Sequence, residues 1–204
     1  MSDVRTVFSI VLLLGVLALA FCNGCAAVPP PAPKWSDRVP ATAAVYLEGE
    51  GWACSGVAVG DHQVMTARHC VCSVEEGTSR GPFVVTAFPG VNHNAVSAQV
   101  DERLDVALVT VDGPRLEVQA PIAPELPDAG DLVFLAAFGC YRSLMVSPGL
   151  YIGKAPDGDV AFAGVVCSGD SGGPVFNERG EVFGILSKRG TTAAVGFAVD
   201  VRHW

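Results

Sequence analysis

Basic residues are scarce in this chain of 204 residues, because 13 lysines and arginines stand against 21 aspartates and glutamates and the net charge is −8. A nucleic-acid-binding surface needs clustered positive charge to neutralise phosphates, so this balance argues against DNA or RNA as a partner. Metal-binding patterns are lacking as well, since the four histidines and the carboxylates show no ligand spacing such as H-E-x-x-H. The sequence therefore predicts neither a metal ion nor another cofactor.

Long helical segments are also lacking. From about residue 41 onward, short apolar or alternating runs are separated by glycine, proline and aspartate, and no long segment has a period of 3.6 residues. Many short strands at regular spacing predict an all-β fold. Because six runs precede the proline-rich stretch 121–127 and six follow it, we predict two six-stranded antiparallel β-barrels packed together, at about 41–115 and about 128–204. The runs are AVYLE, WACSGVAV, QVMTA, FVVTAF, AVSAQV and VALVTV, then DLVFLAAF, LMVSPGLYI, DVAFAG, PVFN, EVFGILS and VGFAVDV.

The longest apolar run, residues 7–21, is shorter than the roughly 18 residues that a membrane-spanning helix needs. It is typical of a signal peptide, which we assign to residues 1–24. An uncleaved anchor helix that continues through Val28 is the alternative. Gly24 and Cys25 resemble the lipidation site of a bacterial lipoprotein, with Cys25 as the acylated residue, although Cys22 stands where that pattern usually has leucine. Ordinary cleavage after Ala20 is a second alternative.

Residues 25–40 contain the run P-P-P-A-P and are interpreted as a tether, because prolines at this density favour extended, stiff backbone. A plain disordered linker is equally compatible with this composition. The domain at 41–204 is thus expected outside the cytoplasm, either anchored to the bacterial cell envelope through a lipidated Cys25 or secreted.

Ser171 lies in the stretch C-S-G-D-S-G-G-P, where three glycines allow sharply bent backbone around it. A serine hydroxyl becomes an effective nucleophile when a general base, itself oriented by a third group, lies beside it. His69 is the candidate base because it ends a predicted strand, whereas the other three histidines lie in polar or terminal surroundings and are interpreted as structural. Asp105 directly precedes the apolar run 106–111 and can accept a hydrogen bond from an imidazole, whereas Asp101 lies among charged residues and is expected to be solvated.

The segments T-A-R-H-C, D-V-A-L and C-S-G-D-S-G-G-P, in this order, resemble the motifs of the chymotrypsin-like (trypsin-fold) serine proteases of bacterial type. The resemblance extends over about residues 43–201. It implies that Ser171 is the nucleophile, His69 the general base and Asp105 the orienting acid. It also implies an oxyanion hole formed by the backbone N–H groups of Gly169 and Ser171, and a hydrogen bond from Ser187 to Asp105.

The same resemblance implies a disulfide between Cys54 and Cys70. Cys167 matches a cysteine of the family whose usual partner lies downstream, but no cysteine follows position 167 here. Cys140 is therefore the predicted partner of Cys167, in an unorthodox bridge. Cys72 is left unpaired, which indicates either intermolecular pairing or a buried free thiol.

Several positions depart from the family pattern. Arg68 stands where alanine usually precedes the histidine, and no I-V-G-G-like start is present. We therefore expect a preformed site rather than one ordered by insertion of a new N-terminus beneath the aspartate at position 170.

The resemblance places Val165 at the base of the substrate pocket. Lys188 and Arg189 lie along its wall, where an aromatic residue and a glycine are usual. These residues predict a preference for a small apolar or an acidic side chain.

The function expected from these features is that of an exported, monomeric serine endopeptidase that hydrolyses protein or peptide substrates. The alternative is a binding protein that keeps the protease fold and is catalytically weak or inactive, since a fold alone does not fix a function. A third hypothesis is a quality-control protease of the cell envelope. Such enzymes usually carry a peptide-binding domain after the protease, and the sequence ends at Trp204.

Overall fold

The computed structural model describes residues 39–72, 79–101, 103–139, 142–191 and 194–204. The predicted signal peptide, the lipidation site Cys25, the tether as far as residue 38, and Cys140 lie outside the described residues. Within the described ranges, no helix is both long enough and apolar enough to cross a membrane.

The first barrel closes six antiparallel strands in the order β1-β2-β3-β6-β5-β4. A short 3-10 turn, Ala41–Ala43, leads into the first strand, and a single four-residue helix, α1 (Arg68–Val71), follows the third. The strands are β1 (Ala44–Gly49), β2 (Trp52–Gly60), β3 (Gln63–Thr66), β4 (Val84–Ala87), β5 (Val91–Val100) and β6 (Ala107–Val111).

The second barrel closes the remaining strands in the order β10-β11-β12-β9-β8-β7. Each of the twelve strands overlaps a run that the sequence pattern singled out, so the predicted fold of two six-stranded antiparallel barrels is confirmed. The strands are β7 (Leu132–Ala137), β8 (Met145–Lys154), β9 (Val160–Ala163), β10 (Pro174–Phe176), β11 (Val182–Arg189) and β12 (Val195–Asp200).

A shared apolar layer joins the two barrels, and strand alternation explains how it arises. Successive side chains of a strand point to opposite faces. On β3, Val64 belongs to the core of the first barrel, whereas its neighbour Met65 belongs to an apolar cluster that includes Phe134, Phe176 and Ile185 of the second. Burying a side chain of this size contributes about 1.5–3 kcal/mol. The layer thus fixes how the end of β3 lies relative to the loops of the second barrel.

Candidate active site

His69 is presented by the short helix that follows β3. Ala67 is extended, with φ −72° and ψ 141°, and the chain then makes one helical turn. Cys70 and Val71 are buried in the core of the first barrel, so the adjacent imidazole is left at the surface between the barrels with 29% of its side chain exposed. The predicted disulfide between Cys54 and Cys70 is present and ties this turn to β2.

Asp105 collects three hydrogen bonds at the start of β6. His69 Nδ1 lies 2.7 Å from Oδ2, the backbone N–H of His69 donates to Oδ1 at 2.9 Å, and the hydroxyl of Ser187 donates to Oδ2 at 2.6 Å. A register shift between Leu186 and Lys188 in the β11–β12 pairing forms a bulge at Ser187, a feature that re-aims side chains beside functional sites. Ser187, Asp105 and His69 therefore form one hydrogen-bonded chain.

The charge of Asp105 follows from these contacts. Burial works against the ionised form, but the hydrogen bonds from His69 and Ser187 outweigh it and hold the pKa of Asp105 at about 2, below its ordinary value of 3.8. An ionised carboxylate favours the tautomer in which Nδ1 of His69 carries the proton. The other ring nitrogen, Nε2, is then the basic one.

The residues that the sequence pattern set aside lie elsewhere. Asp101 is half-buried, and its carboxylate accepts hydrogen bonds from the backbone N–H groups of Arg103 and Leu104. His93 is buried, with Nδ1 2.8 Å from the carbonyl oxygen of Asp112, whereas His62 and His203 are exposed.

Ser171 is held against the first barrel by its own backbone. Its carbonyl oxygen accepts a hydrogen bond from the N–H of Ser55 at 2.8 Å and lies 3.7 Å from Cys70 Sγ. Gly172 follows with φ +84°, and a Cβ there would collide with the carbonyl oxygen of Ser55 and with Oγ1 of Thr66. Only glycine permits this close approach. The described contacts include no hydrogen bond between the Ser171 hydroxyl and the His69 ring, and such bonds are often long before substrate binds.

The loop before Ser171 is fixed by a buried carboxylate. Asp170 is 6% exposed and accepts hydrogen bonds from the N–H groups of Gly139 at 2.9 Å and Cys167 at 2.6 Å. Burial raises its pKa despite these two donors. Gly169 has φ +92°, a conformation that L side chains rarely adopt. Among the described residues, the N–H groups of Gly169 and Ser171 have no protein acceptor, so both are available to a negatively charged oxygen.

A cavity of about 190 Å³ opens beside Ser171. Val165, which the resemblance placed at the pocket base, is not among the residues that line this cavity. Val165 is 61% exposed and lines a separate cavity with Met145 and Asp170, whereas Val166 is 3% exposed and packs into the core of the second barrel. The residues that line the cavity beside Ser171 are Val166, Cys167, Ser168, Gly169, Ser171, Leu186, Lys188 and Arg189.

Lys188 and Arg189, the two cations expected along the pocket wall, both line this cavity, but their surroundings differ. Lys188 Nζ lies 2.7 Å from Asp157 Oδ2 and 2.9 Å from Asp159 Oδ2. Arg189 is exposed and makes no ion pair with any residue in the described ranges. One of the two positive charges is therefore already neutralised within the protein.

Residues 54–185 match the family model of the trypsin-like peptidase domain. The chain belongs to this family. No curated protein matches the sequence significantly. Solved structures resemble this peptidase domain at low identity, which by itself shows a common fold. A serine endoprotease from Yersinia pestis has a TM-score of 0.72 at 21% identity, covering 84% of this chain and 64% of that one. Rv3671c from M. tuberculosis H37Rv, a serine-to-alanine mutant in an inactive form, has a TM-score of 0.68 at 20% identity, covering 85% and 90%.

The remaining cysteines of the peptidase domain divide into two cases. Cys72 is a half-buried free thiol. Cys167 is disulfide-bonded, and its partner is not among the described cysteines, so the bridge to Cys140 stays a prediction.

Within the described ranges, the potential metal ligands that cluster are Cys54, Cys70 and His69. The disulfide occupies both sulfurs, so they offer no thiolates to an ion.

Two contributors to the site were missed by the sequence reasoning. Ser55 Oγ donates to the carbonyl oxygen of Gly169 at 3.0 Å and accepts from the N–H of Phe138 at 3.0 Å, which links β2 to the loop before Ser171. Gly139 supplies one of the two donors to Asp170. A signal existed for Ser55, because a polar residue within the apolar run W-A-C-S-G-V-A-V must find a partner when it is buried. Gly139 offered none.

Proposed function

We propose that this peptidase domain is a serine endopeptidase. The observation that carries the proposal is the hydrogen-bonded chain from Ser187 through Asp105 to His69, beside a loop that holds Ser171 and leaves two N–H groups unpaired. These are the parts that acyl transfer by a serine needs: a nucleophile, an oriented base and donors for the developing oxyanion.

In the proposed reaction, Ser171 Oγ attacks the carbonyl carbon of the scissile peptide bond while His69 Nε2 takes the hydroxyl proton. The tetrahedral intermediate carries a negative oxygen that accepts hydrogen bonds from the N–H groups of Gly169 and Ser171. His69 then donates its proton to the leaving amine, which gives an acyl-enzyme. Water, deprotonated by His69, attacks the ester and releases Ser171 and the carboxylate product. Asp105 remains ionised throughout and stabilises the imidazolium.

The loop geometry supports a site that is ordered without a new N-terminus. The carboxylate of Asp170 is already held by the N–H groups of Gly139 and Cys167. A bridge from Cys167 to Cys140, the residue after Gly139, is part of the proposal, because it would join the two segments that supply these donors. Mapping of disulfide-linked peptides from the unreduced protein tests it, and a Cys167 linked to any other cysteine would contradict it.

The proposed activity is tested by digestion of an unfolded protein such as reduced casein with the full chain. Wild type is expected to produce fragments, whereas Ser171→Ala and Asp105→Asn are expected to lose activity by about 10⁴-fold or more. Asp101→Asn is the matched control, since it makes the same carboxylate-to-amide change at a residue that bonds the backbone of Arg103 and Leu104 instead of His69, and it should retain wild-type activity. Equal residual activity in wild type and Ser171→Ala would contradict the proposal and favour a binding protein with the protease fold.

Export, a lipid anchor at Cys25 and a monomeric state complete the proposal. Export and the lipid anchor are supported by the sequence features of residues 1–40, of which only residues 39 and 40 are described. Mass spectrometry of the full chain expressed in a bacterial host tests the anchor. A diacylglycerol adduct that disappears in Cys25→Ser is expected, and an unmodified N-terminus after Ala20 would contradict it.

A further inference from the structure

We infer that Arg189 recognises an acidic side chain in the cavity beside Ser171, so that the endopeptidase cleaves after glutamate or aspartate. The inference rests on the proposed function and names its substrate class. It also decides between the small apolar and the acidic preference that the sequence left open.

The positive charge of Lys188 is neutralised within the protein. Its ammonium group is bound by the carboxylates of Asp157 and Asp159, and these hydrogen bonds, that of Asp157 first, raise the pKa of Lys188. A lysine already paired with two carboxylates has little attraction left for a third. Lys188 therefore contributes the apolar stem of its side chain to the wall rather than a free charge.

Arg189, in contrast, has no acidic partner among the described residues. None of the described residues that line the cavity is acidic. Asp170, which precedes the nucleophile in the sequence, is buried, and its carboxylate is bound by the N–H groups of Gly139 and Cys167. Asp157 and Asp159 are committed to Lys188. A substrate carboxylate that enters the cavity thus meets a guanidinium group that no described acidic residue neutralises.

The size and polarity of the cavity suit the side chain of glutamate or aspartate. Its volume of about 190 Å³ is similar to that of an engineered cavity of about 150 Å³ that holds benzene, so it accommodates one side chain of moderate size. Val166 and Leu186 offer apolar surface to the methylene groups of such a side chain. A guanidinium binds a carboxylate through two parallel hydrogen bonds, a geometry that lysine cannot reproduce.

Other substrate side chains gain less from this arrangement. An alanine or valine fills the apolar part but leaves Arg189 without a partner. A lysine or arginine brings a second positive charge next to Arg189. Glutamine has the shape of glutamate without its charge, so the comparison of these two side chains isolates the contribution of the guanidinium.

The test uses internally quenched peptides that differ only in the residue before the scissile bond: glutamate, glutamine, alanine or lysine. The full chain is assayed as wild type, Arg189→Gln and Arg189→Glu. Arg115→Gln is the matched control, because it removes one positive charge from an exposed side chain in the chain segment that follows the first barrel. Labelling of Ser171 by a fluorophosphonate verifies that each variant is folded and active.

Wild type and Arg115→Gln are expected to cleave the glutamate peptide about tenfold to a hundredfold faster, in kcat/KM, than the glutamine peptide. Arg189→Gln should abolish this ratio, and Arg189→Glu should favour lysine. A wild type that is labelled but shows no preference for glutamate, or an Arg189→Gln that keeps the ratio, overturns the inference and leaves the proposed function intact. A wild type that is not labelled overturns both.

Discussion

The oxyanion hole can be tested by adding a single methyl group at Gly169. Gly169→Ala places a Cβ 3.0 Å from Gly139 Cα, on a residue with φ +92°. The left-handed conformation costs an L residue about 1–2 kcal/mol. Gly139 is itself held in place by the hydrogen bond from its N–H to Asp170. The variant relieves the strain most readily by rotating its own peptide group, which turns the N–H away from the site.

Loss of one oxyanion donor costs about 3–4 kcal/mol in the transition state, or about 10²- to 10³-fold in rate. The assay is the second-order rate of covalent labelling by a fluorophosphonate, which needs no knowledge of the natural substrate. Gly169→Ala is therefore expected to react about 10²- to 10³-fold more slowly than wild type, while its free energy of unfolding falls by only about 1–2 kcal/mol.

Gly130→Ala separates the strain from the function. Gly130 has φ +98°, and nothing lies within 4 Å of the Cβ that would be added. This variant should lose about as much stability as Gly169→Ala but keep the wild-type labelling rate. A Gly169→Ala protein that is labelled within about threefold of wild type would refute the reasoning, because the N–H of Gly169 would then not contribute to the reaction.

Three further predictions concern stability. The pKa of Asp105 lies at about 2, below 3.8, so its stabilisation is complete above pH 3.8 and is lost as the pH falls through 2. Urea unfolding at pH 6 and pH 2 should show that wild type loses about 2 kcal/mol more than Asp105→Asn. Ser187→Ala should lower the free energy of unfolding at pH 7 by about 1.5–3 kcal/mol, because it removes a donor to a charged carboxylate, whereas the exposed Ser97→Ala should be neutral. Replacing Cys54 and Cys70 by alanine, which opens a bridge across 16 residues, should cost about 3 kcal/mol in thermal or urea unfolding.

Each of these predictions has a result that would contradict it. The same loss of stability on acidification in wild type and Asp105→Asn would show that the carboxylate is not held in its charged form. Equal stabilities of Ser187→Ala and Ser97→Ala would mean that the bond from Ser187 to Asp105 contributes nothing. A double cysteine variant as stable as wild type would exclude a constraint from that disulfide.

The strand pattern could be read from the sequence because one face of most strands is buried. Alternation then leaves a period of two, as in β1, where Val45 and Leu47 are buried and Glu48 is exposed. β5 shows the limit of this signal. It was predicted from residue 95, but it begins at Val91, because the buried side chain of V-N-H-N is a histidine and the segment pairs with β4 through its backbone.

For the candidate site as well, some features could be predicted from the sequence and others depend on the folded chain. His69, Asp105 and Ser171 lie in short segments that resemble family motifs, and the structure brings His69 Nδ1 within 2.7 Å of Asp105 Oδ2. The placement of Val165 could not be decided locally, because residues 164–173 form no strand and alternation gives no inward direction there. The ion pairs of Lys188 join β11 to the loop between β8 and β9, about 30 residues earlier in the chain, and only the folded chain brings these groups together.

The central claim, that Ser171 is an activated nucleophile, is tested most directly by mapping the adduct of a fluorophosphonate on the native full chain by peptide mass spectrometry. A single adduct on Ser171 is predicted in wild type, none in Ser171→Ala, and none in heat-denatured wild type. An unlabelled native protein, or an adduct on another residue, would contradict the claim that the Asp105–His69 pair activates this serine.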